Sequence, residues 1–431
     1  MKDPILLRRD DLLSPDEAAY WKDLLYRTVK IGAELEVAPP KGMRRPDFEA
    51  AVRAALQPSS SLERLGENGV WDVQTEHCGI EIRIIGRYPH FTALQKQYRR
   101  IMDVLRAHGA RPRSTCGLHF HLLTPGLAEP VPVIVLANLW NLVRRYAPEL
   151  KFMTSCGDKR EALCRRRNHN SHLEMVELSP GVLSMQEIQT RLKASRVVPE
   201  HQNFLNLEHV GFTKDGGVLP FHVEFRFPDA HLSPTAIAAQ TFLWLALALK
   251  SVDLSQYGVI HVGHYQAWQR KVEILNMLSN NDGNLATSDT RGITDEIIEE
   301  LRQGAYELLD FLAPTLEGMF VDNPALDVLL ALAETPISLM RCMGYDWDRI
   351  ESLLAARASV DDLGLDETDR RLMQRIELGE WSGFPSLEAW KWHAARELFL
   401  APQSLEERLA RLNALRGIRW DARQGTTVFK R

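Results

Sequence analysis

The chain has 431 residues, 45% hydrophobic and 25% charged, with a formal net charge of -5. This is an ordinary globular composition, long enough for one large domain with an appendage or for two domains. The mild acidity argues against a nucleic-acid binder and against a disordered acidic chain, and five cysteines without paired spacing predict free thiols in a reducing compartment.

The opening "MKDPILLRRDDLL" carries charges early and lacks a secretory apolar core. The most apolar segments, "VPVIVLANLW" and "TFLWLALAL", are too short to cross a bilayer, so a cytoplasmic protein without membrane contact is expected. "SPDE" at 14–17 combines a cap, a first-turn proline and a third-position glutamate, predicting a helix to about Tyr26. It leads into a strand, "IGAELEV" (31–37). A helix follows at 46–58, then strands in "VWDVQTEHC" and "GIEIRII", the latter at 79–85. Residues 91–109 are amphipathic with helical period and close on Gly109. The strand "CGLHFHLL" (116–123) precedes a helix from about 132 to 153 and a basic loop at 155–172. A short helix at 185–195, a candidate strand "NFLNLEHV" and the strand "FHVEFRF" (221–227) come next. The Ser233-Pro234 cap then opens an almost wholly apolar helix that should be buried.

Beyond 251 the pattern turns helical, as in "TDEIIEELRQGAYELLDFLAP" and "SLEERLARLNALRG". A boundary near 254–263 divides an α+β catalytic portion, 1–255, from an all-helical portion, 256–431. The run "EAWKWHAARELF" in the latter reads as core rather than as a binding box. The helical portion as a whole is expected to serve as a scaffold, a homo-oligomer contact or a protein-partner surface.

On a strand, residues i and i+2 share a face. Glu34 and Glu36 therefore oppose Ala33, Leu35 and Val37, and Glu81 and Arg83 oppose Ile80, Ile82 and Ile84. His119 and His121 oppose Leu118, Phe120 and Leu122, while His222, Glu224 and Arg226 oppose Val223 and Phe225. One strand of this kind is a solvated face. Four of them, carrying carboxylate, imidazole and guanidinium and no Lys, Ser or Thr, predict a functional face on a mainly antiparallel sheet with helices on its other side. Clustered carboxylates repel unless a cation sits among them. An oxygen-rich site with occasional imidazole suits Mg²⁺ or Mn²⁺, and Arg83 and Arg226 would clamp phosphate or carboxylate oxygens. Divalent ion, phosphate and arginine together make the apparatus of phosphoryl transfer.

"IGAELE", "CGLHFH" and "HVEFRFPD" resemble, in this order, the signature strands of the amidoligases. These are carboxylate–amine ligases of the glutamine synthetase and γ-glutamylcysteine synthetase superfamily. "VEFRFPDAHLSP" is also similar to the Glu-x-Arg-x-Pro-Asp segment of glutamine synthetases, and the likeness covers roughly 30–249. It implies a glutamine synthetase-like catalytic fold with ATP and Mg²⁺ (or Mn²⁺) as cofactors. By the resemblance Glu34, Glu36, Glu81, His119 and Glu224 hold the metal, and Arg226 touches the transferred phosphate. Arg83 and Glu36 are expected to join Arg226 in the catalytic set, with His121 and His222 at the nucleotide; the basic loop reads either as a solvated surface or as a flap that brings Arg160 and Arg165 to ATP or an acidic substrate. Glu76 and Cys78 stand where many amidoligases carry Asp-x-Ser, and Arg83-Ile84-Ile85 where they carry Ser-Pro-Pro, which leaves substrate specificity open. Asn206-Leu207-Glu208 resembles an Asn-Leu element that often precedes the last signature strand.

The reading is an ADP-forming ligase joining a small-molecule or peptide carboxylate to an amine through an acyl phosphate, with a glutamyl carboxyl as one acceptor. Three alternatives stand beside it. A guanidino phosphotransferase would share the fold. A cupin-like metal oxygenase on the His-x-His strand leaves the other glutamates and both arginines unexplained. A non-catalytic nucleotide- or peptide-binding relative leaves the full charged set without a purpose. Cys156, Cys164, His169 and His172 lack the spacing of a zinc knuckle, and Cys116 shares the apolar face of its strand.

Overall fold

Ser14 caps the first helix, α1 (Pro15–Thr28), and the reciprocal bond from Glu17 is present, as the "SPDE" motif predicts. The computed structural model describes residues 12–57, 69–86, 91–113, 116–156, 185–195, 205–226, 228–260, 270, 295–319, 324–358, 367–377, 384–416, 418–421 and 426–429. In order come β1 (Lys30–Val37), α2 (Arg45–Leu56), β2 (Gly69–Thr75), β3 (Ile80–Gly86), α3 (Phe91–Ala107) and β4 (Leu118–Leu123). They are followed by β5 (Val131–Pro132), α4 (Val133–Arg145), α5 (Ala147–Met153), α6 (Met185–Ser195), β6 (Leu205–Asn206), β7 (Gly217–Val218), β8 (His222–Phe225) and α7 (Pro234–Leu254).

The fold is α+β. Six strands form one sheet in the order β2-β3-β1-β4-β8-β6, and each adjacent pair is antiparallel. Its apolar face carries Leu35, Ile82, Leu118, Phe120, Val223 and Phe225, none with any exposure. Burying such side chains is worth about 1.5–3 kcal/mol each. Helix α7 receives them: the Trp244 ring stacks on Phe225 at 4.6 Å between centroids and meets Phe120 at 5.8 Å. This helix, 21 residues long, is long and apolar enough to cross a membrane by length and composition, which corrects the expectation that the apolar segments fall short. It is almost wholly buried inside the protein.

Three other expectations are corrected. The helix anticipated from 132 to 153 breaks at Tyr146, because Pro148 has no N–H to give the Arg144 carbonyl and its ring crowds that carbonyl. Among the described residues 205–210 of the strand anticipated at 203–210, pairing is confined to Leu205 and Asn206, and β8 ends at Phe225, so Arg226 lies just past the ladder. A two-stranded pairing of β5 with β7 was not foreseen.

The later helices α8 (Asp295–Met319), α9 (Ala325–Glu334), α10 (Ile337–Cys342) and α11 (Trp347–Arg357) follow. The expected division at 255/256 does not divide the core, since one cluster of buried side chains runs from Leu13 to Leu354. Glu351 of α11 helps join the parts: its carboxylate accepts from Ser233 Oγ at 2.7 Å and from Thr235 Oγ1 at 2.5 Å, at the start of α7. A second, separate cluster lies in α12 (Glu367–Glu377), α13 (Leu387–Glu397) and α14 (Pro402–Arg416). After it come β9 (Ile418–Asp421) and β10 (Thr426–Phe429), paired antiparallel. The C-terminal portion is therefore not all-helical. "IRWD" and "TTVF" are β-branched and aromatic, which suits a ladder better than a helix.

Candidate functional site

The polar face of the sheet is built by register. Glu34 on β1 sits opposite Arg83 on β3 and His119 on β4, while Glu36 sits opposite Glu81. His121 is opposite Gly32 on one side and Glu224 on the other. A Cβ on Gly32 would lie 3.3 Å from His121 Cβ, a tight contact that glycine avoids.

Glu34, His119 and Glu224 each offer one ligand atom, all within 4.8 Å of one another, and they form the metal-sized cluster among the described residues. His119 Nδ1 lies 3.3 Å from Glu34 Oε2 and 3.4 Å from Glu224 Oε1. His121 Nε2 is 3.4 Å from Glu34 Oε1. Arg226 pairs with Glu224 Oε1, and Arg83 Nε lies 2.7 Å from Glu81 and 3.7 Å from Glu34. Two carboxylates and an imidazole at that spacing fit Mg²⁺ or Mn²⁺, whose bonds to oxygen are about 2.0–2.2 Å, after small side-chain adjustments.

Glu36 stands apart from this cluster. Its Oε2 accepts the Gly117 backbone N–H at 2.5 Å, and its charge acts on Glu81 and on Cys78. The Cys78 thiol contacts Cys116, and that contact, burial and the Glu36 charge push it far up, so it is a protonated thiol and not a nucleophile. His121 and His222, both expected at the nucleotide, also meet each other, Nδ1 to Nε2 at 3.1 Å. Arg160 and Arg165 lie outside the described residues, as do Cys164, His169 and His172.

Three partners escaped the sequence reading. Asn206 Nδ2 donates to Glu224 Oε2 at 2.9 Å, while Oε1 faces His119 and Arg226. Gln74 Nε2 donates to Glu81 Oε1 at 2.9 Å. His209 stacks on His222 with centroids 4.9 Å apart. Gln74 was findable, since Asp72 and Gln74 share the parity of the polar face on β2.

Burial alone would raise the Glu34 carboxyl, but hydrogen bonds and charge from His119 and His121 outweigh it and hold Glu34 well below the usual range. Glu81 goes the other way. Burial first, then the Glu34 charge, push it up to about 7 against the pull of Arg83. Burial, with the neighbouring His121 and His209, lowers His222 to about 4. Between its unfolded value of 4.5 and about 7, Glu81 keeps a proton in the metal-free fold that the unfolded chain has lost. Its contribution to metal-free stability therefore falls as pH rises through that window. A divalent ion beside Glu81 would favour its ionised carboxylate against burial and the Glu34 charge. The rise in melting temperature on adding Mg²⁺ or Mn²⁺ is expected to be larger at pH 8 than at pH 5.5, and Glu81→Gln should flatten the difference. A metal-induced rise independent of pH would remove Glu81 from the metal's surroundings.

No family model matches the chain, and no curated protein matches it in sequence.

Proposed function

We propose that the protein is an ATP-dependent ligase that joins a carboxylate to an amine through an acyl phosphate, on a sheet of the glutamine synthetase-like kind. The observation that carries this reading is the single polar face on which Glu34, His119 and Glu224 stand within ligand distance, flanked by Arg83 and Arg226. The cluster lies on a strand sheet rather than at a glycine-rich loop, so nucleotide phosphates would be held by side chains.

Glu34, His119 and Glu224 would hold the ion, with Asn206 fixing which Glu224 oxygen faces it. Mg²⁺ or Mn²⁺, when bound, supplies neutralising charge to the phosphoryl group in transfer. Arg226 and Arg83 present planar guanidinium groups to phosphoryl or carboxylate oxygens. Glu36, tied to Gly117, shapes the electrostatics of the neighbouring Glu81 rather than serving as a ligand of the first cluster. A substrate carboxylate oxygen forms a bond to the γ-phosphorus as ADP leaves. An amine nitrogen then bonds the acyl carbon as the C–O bond to phosphate breaks and the nitrogen gives up a proton.

The test is a product analysis. ATP should be converted to ADP and phosphate only with Mg²⁺ or Mn²⁺ and a carboxylate substrate present, screened against pooled amino acids, amines and peptides. AMP and pyrophosphate as main products would overturn the acyl-phosphate route, and ADP with a stable phosphorylated guanidine would assign phosphotransfer instead.

A further inference from the structure

Three imidazoles stand in a file that runs inward from the surface. His209 is exposed, His222 is half-buried, and the His121 side chain is 11% exposed. The His209 and His222 rings stack with centroids 4.9 Å apart and an interplanar angle of 25°. His222 Nε2 then lies 3.1 Å from His121 Nδ1, the two rings inclined at 58°. The other nitrogen of His121, Nε2, lies 3.4 Å from Glu34 Oε1 and 3.9 Å from Glu224 Oε1. The file therefore ends on two oxygens of the carboxylate–imidazole cluster.

Register and one turn build it. In the ladder of β4 with β8, His121 is paired with Glu224 and Leu123 with His222, so His222 is the diagonal neighbour of His121 on the same face. Such diagonals are within reach of aromatic side chains. On the β1 side His121 is opposite Gly32, which has no side chain to press on it. His209 belongs to the turn after β6, closed by the Val210 N–H on the Leu207 carbonyl at 3.0 Å. Asn206 ties that turn to the cluster: its Oδ1 accepts the Glu208 N–H at 3.0 Å, and its Nδ2 donates to Glu224 Oε2.

The two nitrogens of His121 have separate duties. Nε2 faces ionised carboxylate oxygens, which accept and cannot donate, so it carries its hydrogen toward the cluster. Nδ1 is met by His222 whichever of the two supplies the shared hydrogen, and that bond fixes the rotation of the ring. We infer that His222 is the positioning residue for His121: it holds the ring so that the Nε2 hydrogen is aimed at the Glu34–Glu224 edge of the cluster, and His209 braces His222 from the solvent side. In the ligase reading, on which only the kinetic consequence rests, that hydrogen is offered to an oxygen of the transferring phosphoryl group. His222 thus acts through His121 and not by touching the nucleotide. Partners that orient a side chain at a metal centre from one step behind carry effects of about 10–100-fold.

Two substitutions separate the bond from the ring. His222→Phe keeps a ring to stack on His209 but has no atom to meet Nδ1, whereas His222→Gln keeps a hydrogen-bonding group near the Nε2 position. The ring nitrogen shifts of His121 are read by NMR in the histidine-labelled full-length protein and assigned by their absence in His121→Asn. They should move in His222→Phe and stay near wild type in His222→Gln. In turnover, His222→Phe should lower kcat by about 10–100-fold with KM for ATP within about threefold of wild type, and His222→Gln should recover most of that loss. Unmoved His121 shifts in the Phe variant would overturn the inference. So would a rise in KM for ATP at unchanged kcat, which returns His222 to the nucleotide, or equal losses in both variants in step with melting temperature. If His222→Phe does not fold, the wild-type protein decides: a nitrogen–nitrogen coupling across the His121–His222 hydrogen bond is expected, and its absence with both rings resolved overturns the inference. Moved shifts without ATP turnover on any substrate would support the positioning of His121 and fail the ligase reading alone.

Discussion

Arg226→Lys is expected to lower kcat by about 10²-fold or more at saturating ATP and metal, while the affinity for Mg²⁺ or Mn²⁺ changes little. The side chain is 11% exposed and its guanidinium pairs with Glu224 Oε1, the oxygen that also lies 3.4 Å from His119. It therefore sits at the edge of the proposed metal cluster with Nε and Nη atoms in one plane. A planar fork can hold Glu224 with one N–H and offer another to a phosphoryl oxygen. Lysine keeps the charge and can keep the contact with Glu224, so the ground-state field on the cluster is largely preserved. It cannot make both contacts in the fixed geometry a transferring group requires. The loss should thus fall on the step rather than on binding, which is the signature of an interaction made in the transition state. Turnover of the lysine variant at the wild-type rate would refute the role given to Arg226, and an equal loss in metal affinity would recast it as a support for Glu224.

The polar face was legible because strand parity has a period of two. Glu34, Arg83, His119 and Glu224 could be assigned to one side from their apolar neighbours alone, and the register then brought them together. What parity cannot give is order across the sheet. That His121 would meet His222, and that Glu36 would be taken by the Gly117 N–H, depends on which strands neighbour β4 and on where it begins. Asn206 was visible as part of an Asn-Leu element, but its bond to Glu224 needs β6 to lie beside β8, a pairing of two residues among those described. The boundary near 255 was drawn from a change in periodicity, and periodicity is local. Glu351 reaching back to Ser233 and Thr235 is a tertiary contact with no local signal, and through such contacts the later helices share the main core. The terminal hairpin was missed for the opposite reason. Its signal is local but short, four residues a side after a strongly helical stretch.

The largest expected stability effect lies behind the site. Lys151 on α5 donates to Asp229 Oδ1 at 2.6 Å, and both side chains are almost entirely buried, at 2% and 1% exposure. The other oxygen, Oδ2, accepts the Cys156 N–H at 3.1 Å. Removing one member of a buried pair leaves the other charged and desolvated, so Lys151→Met is expected to destabilise the fold by about 3–5 kcal/mol, read from the urea midpoint. The double variant Lys151→Met/Asp229→Leu should recover part of that loss, because two apolar groups replace two charges. It should not recover all of it, since Cys156 N–H then loses its acceptor at a cost of about 1–3 kcal/mol. Function should follow stability here. Asp229 bridges Gly117 backbone to backbone, and Gly117 in turn holds Glu36, so the pair fixes the start of β4 and the segment just after Arg226. A Lys151→Met protein within about 0.5 kcal/mol of wild type would show that Asp229 takes up a proton or reaches water without strain. The pair would then be a spectator to the site it lies beneath.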